Sequence, residues 1–217
     1  MGLESLTVVR HGESTGNAAL AAALRGGAEE FDKGGRDADT PLSERGQMQA
    51  GLVGAWLLQR GERATAVYCS PYLRARDTAR IALQSVPAPE FRIDERLRDR
   101  ENGVLGGLTG AGIARRYPVE HRQRERLGPF YYRPPGGESW VDVALRLRTL
   151  LPELSGDVLV FAHDIVVVML RSILEGLDEQ AILAIESDRI ANGSISRRER
   201  AGSEMRRVAY NDTSHLD

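Results

Sequence analysis

The sequence predicts an α/β fold: a three-layer αβα sandwich around a mostly parallel mixed sheet, with an inserted lid region at about residues 94–137. Three observations predict it. Short β-prone runs at residues 6–9, 66–69 and 158–162 alternate with segments of helical spacing. The run Val158-Leu159-Val160-Phe161-Ala162 is apolar throughout, the pattern of a strand covered on both faces. No internal repeat or linker divides the 217 residues, so 1–217 reads as a single domain.

The elements follow in order. Leu6-Thr7-Val8-Val9 breaks into a polar, glycine-containing loop at Arg10. Residues 18–39, rich in Ala, Gly and charge, read as a mobile excursion with one short helix. Ser43 caps a helix to about Arg60, with Met48, Leu52, Ala55 and Trp56 on one face. Ala66-Val67-Tyr68-Cys69 is a second strand, and Ser70-Pro71 opens another helix, with Pro at a permitted first-turn position. Residues 91–93 make a third strand, and 94–137 become irregular. Ser139-Trp140-Val141-Asp142 resembles a capping box, followed by Val143, Ala144, Leu147, Leu150, Leu151 and Leu154 at helical spacing. Residues 165–175 read as a buried helix, and strands are expected at 190–198 and 205–210.

Composition narrows the class. With 29 basic and 31 acidic residues and a net charge of -2, no global field favours nucleic acid or an anionic membrane surface. Lys33 is the only lysine, so nearly all of the positive charge is arginine, whose fork suits carboxylate and phosphate oxygens. Cys69 is the only cysteine, which excludes an intrachain disulfide framework and a multi-cysteine metal site. It reads as a small buried residue. No signal peptide is visible at residues 1–10, and the longest apolar run is too short to span a bilayer. A cytoplasmic protein is expected. The sequence is compatible with a homodimer without fixing the oligomeric state.

Chemistry concentrates at strand ends. Arg10 and His11 follow the first strand, Arg74 lies on the helix after the second, and His163 follows the long apolar strand. Open α/β sheets bind ligands at the carboxyl ends of their strands. Two arginines there favour a phosphate or carboxylate, and Gly12 lets backbone N–H groups approach it. Arg76 and Asp77 read as a solvated helix face, and His121 and His215 as surface residues.

Arg10-His11-Gly12-Glu13-Ser14-Thr15-Gly16-Asn17 resembles the Arg-His-Gly signature of the histidine phosphatase superfamily, phosphoglycerate mutase-like branch. The resemblance continues in residues 70–79, in 97–103 and in Val160-Phe161-Ala162-His163. It implies that His11 is a nucleophile that takes the phosphoryl group, and that Arg10, Arg74 and His163 hold its oxygens. Asn17, with Ser14 and Gly12, would bind substrate. The family's proton donor, commonly a glutamate four residues before a glycine, falls on Asp99, with Glu101 as the alternative. Asp164 stands where relatives usually carry glycine; it either caps the next helix or favours charge on His163. Arg116 and Arg133, in the arginine- and tyrosine-rich lid, are expected to bind a second part of a small phosphorylated substrate. The resemblance requires neither metal nor other cofactor.

Rival readings are weaker. Gly12-Glu13-Ser14-Thr15-Gly16 also matches a serine-hydrolase elbow, which leaves Arg10 and Arg74 without a role. No dense metal-ligand spacing or nucleotide loop is present. Residues 134–139 look like the phosphatase branch, including fructose-2,6-bisphosphatase domains. A metal-independent phosphomonoesterase is therefore expected, with mutase-type transfer and a silent phospholigand-binding module as alternatives.

Overall fold

Residues 2–186 and 189–216 are described by the computed structural model. Four strands run parallel: β1 (Leu3–Arg10), β2 (Ala66–Cys69), β3 (Arg92–Ile93) and β4 (Gly156–Ala162). A hairpin of β5 (Ile195–Ala201) and β6 (Glu204–Asp212) joins antiparallel to β1. The sheet order is β3-β2-β4-β1-β5-β6. The α-helices among the described residues are α1 (Thr15–Gly26), α2 (Glu44–Gln59), α3 (Leu73–Ala82), α4 (Gly110–Arg116), α5 (Pro118–Tyr131), α6 (Trp140–Leu150), α7 (Asp164–Glu175) and α8 (Glu179–Glu186).

Side chains alternate across a strand, so the two faces of the sheet draw on alternate residues. Leu6, Val8, Val158 and Val160 pack with α6, α7 and Ile182 of α8. Val9, Leu159 and Phe161 pack with Val53, Trp56 and Leu57 of α2 and with Ala75 and Ala79 of α3. This is the expected mixed α/β sandwich. The continuous apolar run of β4 is buried from Val158 to Ala162 because both faces are covered.

Several local expectations are corrected. Met48, Leu52 and Ala55 are exposed; the buried stripe of α2 is Gly46, Gln49, Ala50, Val53, Trp56 and Leu57. Trp56 alone was common to both sets, and glycine and glutamine on the inner side hid the true stripe. Ser70-Pro71 does not open a helix: α3 begins at Leu73, with Tyr72 in extended conformation at its N-cap. Helix α1 spans 12 residues and starts before the expected excursion, because Ser14 and Asn17 form a reciprocal capping box. The segment 94–137 is not irregular throughout. It contains α4 and α5, and Ile113 of α4 joins Leu105 and Tyr132, the residue after α5, in a small apolar cluster. The fifth strand starts at Ile195 rather than at residue 190. His215 is half-buried, with Nε2 at 3.0 Å from the Gly193 carbonyl and its ring against Trp56.

The capping box at Ser139–Asp142 and the cap at Ser43 are present as expected. The α6 pattern runs past its own end: Leu151–Glu153 tightens into a 3₁₀ turn at Pro152.

Candidate active site

Strand register assembles the site. Arg10 pairs with Ala162 and Cys69 with Phe161, so His11, Ser70 and His163 leave the carboxyl ends of three neighbouring strands in the interior of the sheet. The His11 N–H donates to Ala162 O at 3.0 Å and the Ser70 N–H to Phe161 O at 3.0 Å, holding these exits level. The His11 and His163 rings meet edge to face with centroids 5.1 Å apart.

His11 is buried and its Nδ1 lies 2.7 Å from the Gly12 carbonyl oxygen. A carbonyl can only accept, so Nδ1 carries the proton and Nε2 keeps its lone pair. Burial, then the positive charges of Arg74, His163 and Arg10, hold the His11 pKa well below the ordinary histidine value. The imidazole is therefore neutral at neutral pH, with Nε2 free to attack an electrophile.

His163 is fully buried, and its Nε2 lies 2.8 Å from Ser70 Oγ. Its Nδ1 stands 3.3 Å from Asp99 Oδ2. Burial lowers the His163 pKa against the opposing pull of Asp99. For Asp99 burial favours the neutral acid, but His163 and Arg74 outweigh it and keep the carboxyl well below the usual carboxylate range. Arg74 is buried beneath this cluster. Its Nη2 donates to Asp99 Oδ2 at 2.8 Å and to Asp37 Oδ2 at 3.1 Å, and its Nη1 donates to the Asp37 carbonyl at 2.6 Å. The Arg74 guanidinium also lies over the Tyr72 ring, 4.9 Å from its centroid.

Gly12 donates its N–H to Thr78 Oγ1 at 3.0 Å, tying the loop to α3. A Cβ on Gly12 would strike the Gly46 carbonyl, and one on Gly46 would strike the Glu13 carbonyl, so α2 packs backbone to backbone against the His11 loop. Ser14 caps α1, and Asn17 Oδ1 accepts from Asn192 Nδ2 at 3.1 Å. Asn192 also donates to the His11 carbonyl at 3.2 Å. Arg10 pairs through Nη2 with Asp164 at 3.1 Å.

The remaining candidates lie apart. Glu101 is exposed and accepts from the Gly103 N–H at 3.0 Å, whereas Asp99 faces both Arg74 and His163. Two lid residues do not join this cluster. Arg133 is exposed and clamps Asp142, the third residue of α6 and partner of Ser139 in its capping box, with Nε at 2.7 Å; Arg116 donates to Glu30 at 2.8 Å. Each met a nearby carboxylate that sequence spacing could not reveal. Asp164 does not cap α7, whose N-cap is His163; its Oδ1 accepts the Ile165 N–H. Its charge does favour protonated His163, as one of several weaker influences. Cys69 is buried, which pushes its thiol up to about 12 and makes it a poor thiolate.

Ser70, Thr78, Asp37 and Asn192 were not anticipated as site residues. Ser70 and Thr78 lie in the 70–79 stretch that resembles the family, but no role is assigned to them there; beyond that, Ser70 reads as a helix opener and Thr78 follows Arg74 by one helical turn. Asp37 and Asn192 approach through long-range folding alone. His11, Asp99 and His163 present possible metal-ligand atoms within 4.8 Å of one another. Arg74 is bonded to that same Asp99, and Arg10 and Arg74 both repel positive charge at His11. The donor set fits an anion, not a cation.

Residues 6–213 match the family model of the histidine phosphatase superfamily (branch 1). The chain belongs to that superfamily. It is a phosphoglycerate mutase-like member, of the type to which the similar solved phosphatases belong. It is 33% identical over 190 residues to the 2,3-bisphosphoglycerate-dependent phosphoglycerate mutase 2 of Gloeobacter violaceus, covering 80% of this chain and 75% of that one. It is 33% identical over 147 residues to the 6-phosphofructo-2-kinase/fructose-2,6-bisphosphatase of Caenorhabditis elegans, covering 65% of this chain and only 31% of that longer protein. Among solved structures, a mycobacterial glucosyl-3-phosphoglycerate phosphatase complexed with VO3 superposes with a TM-score of 0.75 at 27% identity, over 97% of this chain and 100% of that one. No helix among the described residues is long and apolar enough to cross a membrane.

Proposed function

We propose that this enzyme hydrolyses small phosphate monoesters through a phosphohistidine at His11. The observation that carries this reading is the tautomer of His11, with Nδ1–H on Gly12 O, the lone pair left on Nε2, and the charges of Arg74 and Arg10 acting on the ring. In-line attack forms the Nε2–P bond as the P–O bond to the alcohol breaks. Arg10, Arg74 and, when protonated, His163 offset the charge on the equatorial oxygens.

Asp99 supplies the proton to the departing alkoxide. It is ionised in the free site because His163 and Arg74 favour its charge. A phosphate bound to Arg74 draws that guanidinium away and adds negative charge beside Asp99, so the carboxylate takes up a proton from solvent as substrate binds and gives the proton it later gains from water back to solvent when phosphate leaves. Water then attacks phosphorus, its proton passes to the Asp99 carboxylate, the N–P bond breaks, and phosphate leaves. The positive charge a metal would contribute comes from arginine.

The substrate is a small phosphorylated metabolite in this reading, as with the solved glucosyl-3-phosphoglycerate phosphatase, and the compartment we infer is the cytoplasm. The mutase relatives favour a second reading, in which His11 returns its phosphoryl group to a bound phosphoglycerate. A panel of phosphorylated metabolites, assayed for free phosphate and for isomerised product, separates the two. Wild type quenched in alkali should carry acid-labile phosphate that His11→Ala lacks, and a chelator should leave turnover unchanged. Near-normal turnover by His11→Ala would defeat the mechanism.

A further inference from the structure

The Arg10 guanidinium has two partners. Nη1 donates to the Ile190 carbonyl, and Nη2 pairs with Asp164 Oδ2 at 3.1 Å. Its Nε is buried and meets no partner. The other oxygen of Asp164 is spent locally, accepting the Ile165 N–H at 2.7 Å. The Asp164 side chain is 49% exposed, while that of Arg10 is 12% exposed. The carboxylate therefore sits at the rim of the site, on an arginine whose charge also acts on His11. It acts electrostatically on Arg100 and on His163 as well.

Such a contact can either orient Arg10 or reduce its hold on an anion. Orientation needs only an acceptor, and the Ile190 carbonyl already supplies one on a side chain enclosed by the fold. What Asp164 adds is a fixed negative charge. We propose that Asp164 sets the phosphate affinity of the site by competing with the bound phosphate for Arg10, which keeps product phosphate loosely held. Arg74 already faces the carboxylates of Asp37 and Asp99; Asp164 on Arg10 cancels a unit of the charge that the second arginine would offer a phosphate dianion and occupies an Nη2 hydrogen. The proposal rests on the phosphate-site reading above.

The test is calorimetric titration of the protein with inorganic phosphate, paired with inhibition of aryl phosphate hydrolysis by phosphate and by orthovanadate. Asp164→Asn keeps an acceptor for Nη2 and removes the charge. It should tighten phosphate and vanadate binding by roughly 5- to 20-fold, with KM falling in parallel and kcat not rising. Asp164→Gly should also tighten binding, and Asp164→Glu should stay within about threefold of wild type. Equal or weaker phosphate binding by Asp164→Asn would show that the carboxylate merely orients Arg10, and the proposal would fall. Phosphate binding that is unaffected by Arg10→Ala would instead overturn the phosphate-site reading itself.

Discussion

Ser70 Oγ and His163 Nε2 share a 2.8 Å hydrogen bond that joins the ends of β2 and β4. Ser70 Oγ also accepts the Tyr72 N–H at 3.2 Å, so its position is fixed before any ligand arrives. With Asp99 beyond the other ring nitrogen, His163 is held between an oxygen of each kind, one neutral and one anionic.

Ser70→Ala should therefore leave a ring nitrogen of a fully buried histidine without a partner. The expected cost is about 1–3 kcal/mol of stability, with a lower kcat. Urea denaturation and steady-state kinetics measure the two. Unchanged stability and unchanged kcat together would show that His163 finds another partner and that Ser70 is dispensable.

The proton donor can be read from the leaving group. Sugar and glycerate alkoxides need a proton as they depart, whereas p-nitrophenolate leaves almost unaided. Asp99→Asn should lose about 10²–10⁴-fold on an alkyl phosphate and far less on p-nitrophenyl phosphate. Glu101→Gln should show little contrast, since Glu101 serves the Gly103 N–H. Equal losses for Asp99→Asn on both substrates would assign it a binding or structural role through Arg74.

Gly46→Ala should be among the most damaging single-methyl changes. The added carbon overlaps the Glu13 carbonyl, a backbone atom that cannot rotate away. Destabilisation of about 3 kcal/mol is expected, with loss of activity as the His11 loop is displaced. Gly51→Ala on the same helix, where nothing lies within 4 Å, is the control and should be neutral or slightly stabilising. Similar melting temperatures for the two variants would contradict the close approach.

Acid should weaken the fold in two stages. Burial first, with other causes, holds His11 and His163 below their ordinary values. The unfolded chain therefore takes up protons first as pH falls through about 6.5. Stability from these groups is complete above that pH and declines below it. Asp99, also depressed, adds a second loss as pH falls through about 3.9 and below. Urea midpoints from pH 8 to 4 should fall, and His11→Gln should flatten the first stage. A midpoint that rises between pH 7 and 5 would refute this assignment.

Much of the site could be read before folding because its key residues stand directly after strands. Arg10 ends β1 and His11 follows it, and His163 follows β4; a strand's period and its apolar run mark where it must stop. Arg74 was legible as a basic residue in the helix after β2. Asp99 was reached through the family pattern, since residues 94–137 carry no regular period. The burial stripe of α2 was misread because its inward side uses Gly46 and Gln49 in place of large apolar residues.

By itself the sequence determined the alternation of strands and helices, the residues at the strand exits and the anionic preference of a site lined by arginine. These depend on local periodicity and on side-chain chemistry, which neighbours along the chain already display. Only the tertiary structure decided the partners. Asp37 reaches Arg74 across 37 residues, Asn192 reaches Asn17 across 175, and Asp99 enters between Arg74 and His163. Arg116 and Arg133 were drawn instead to Glu30 and Asp142. An ion pair or hydrogen bond forms with whatever group the folded backbone brings within about 3 Å, and spacing along the chain carries no record of that.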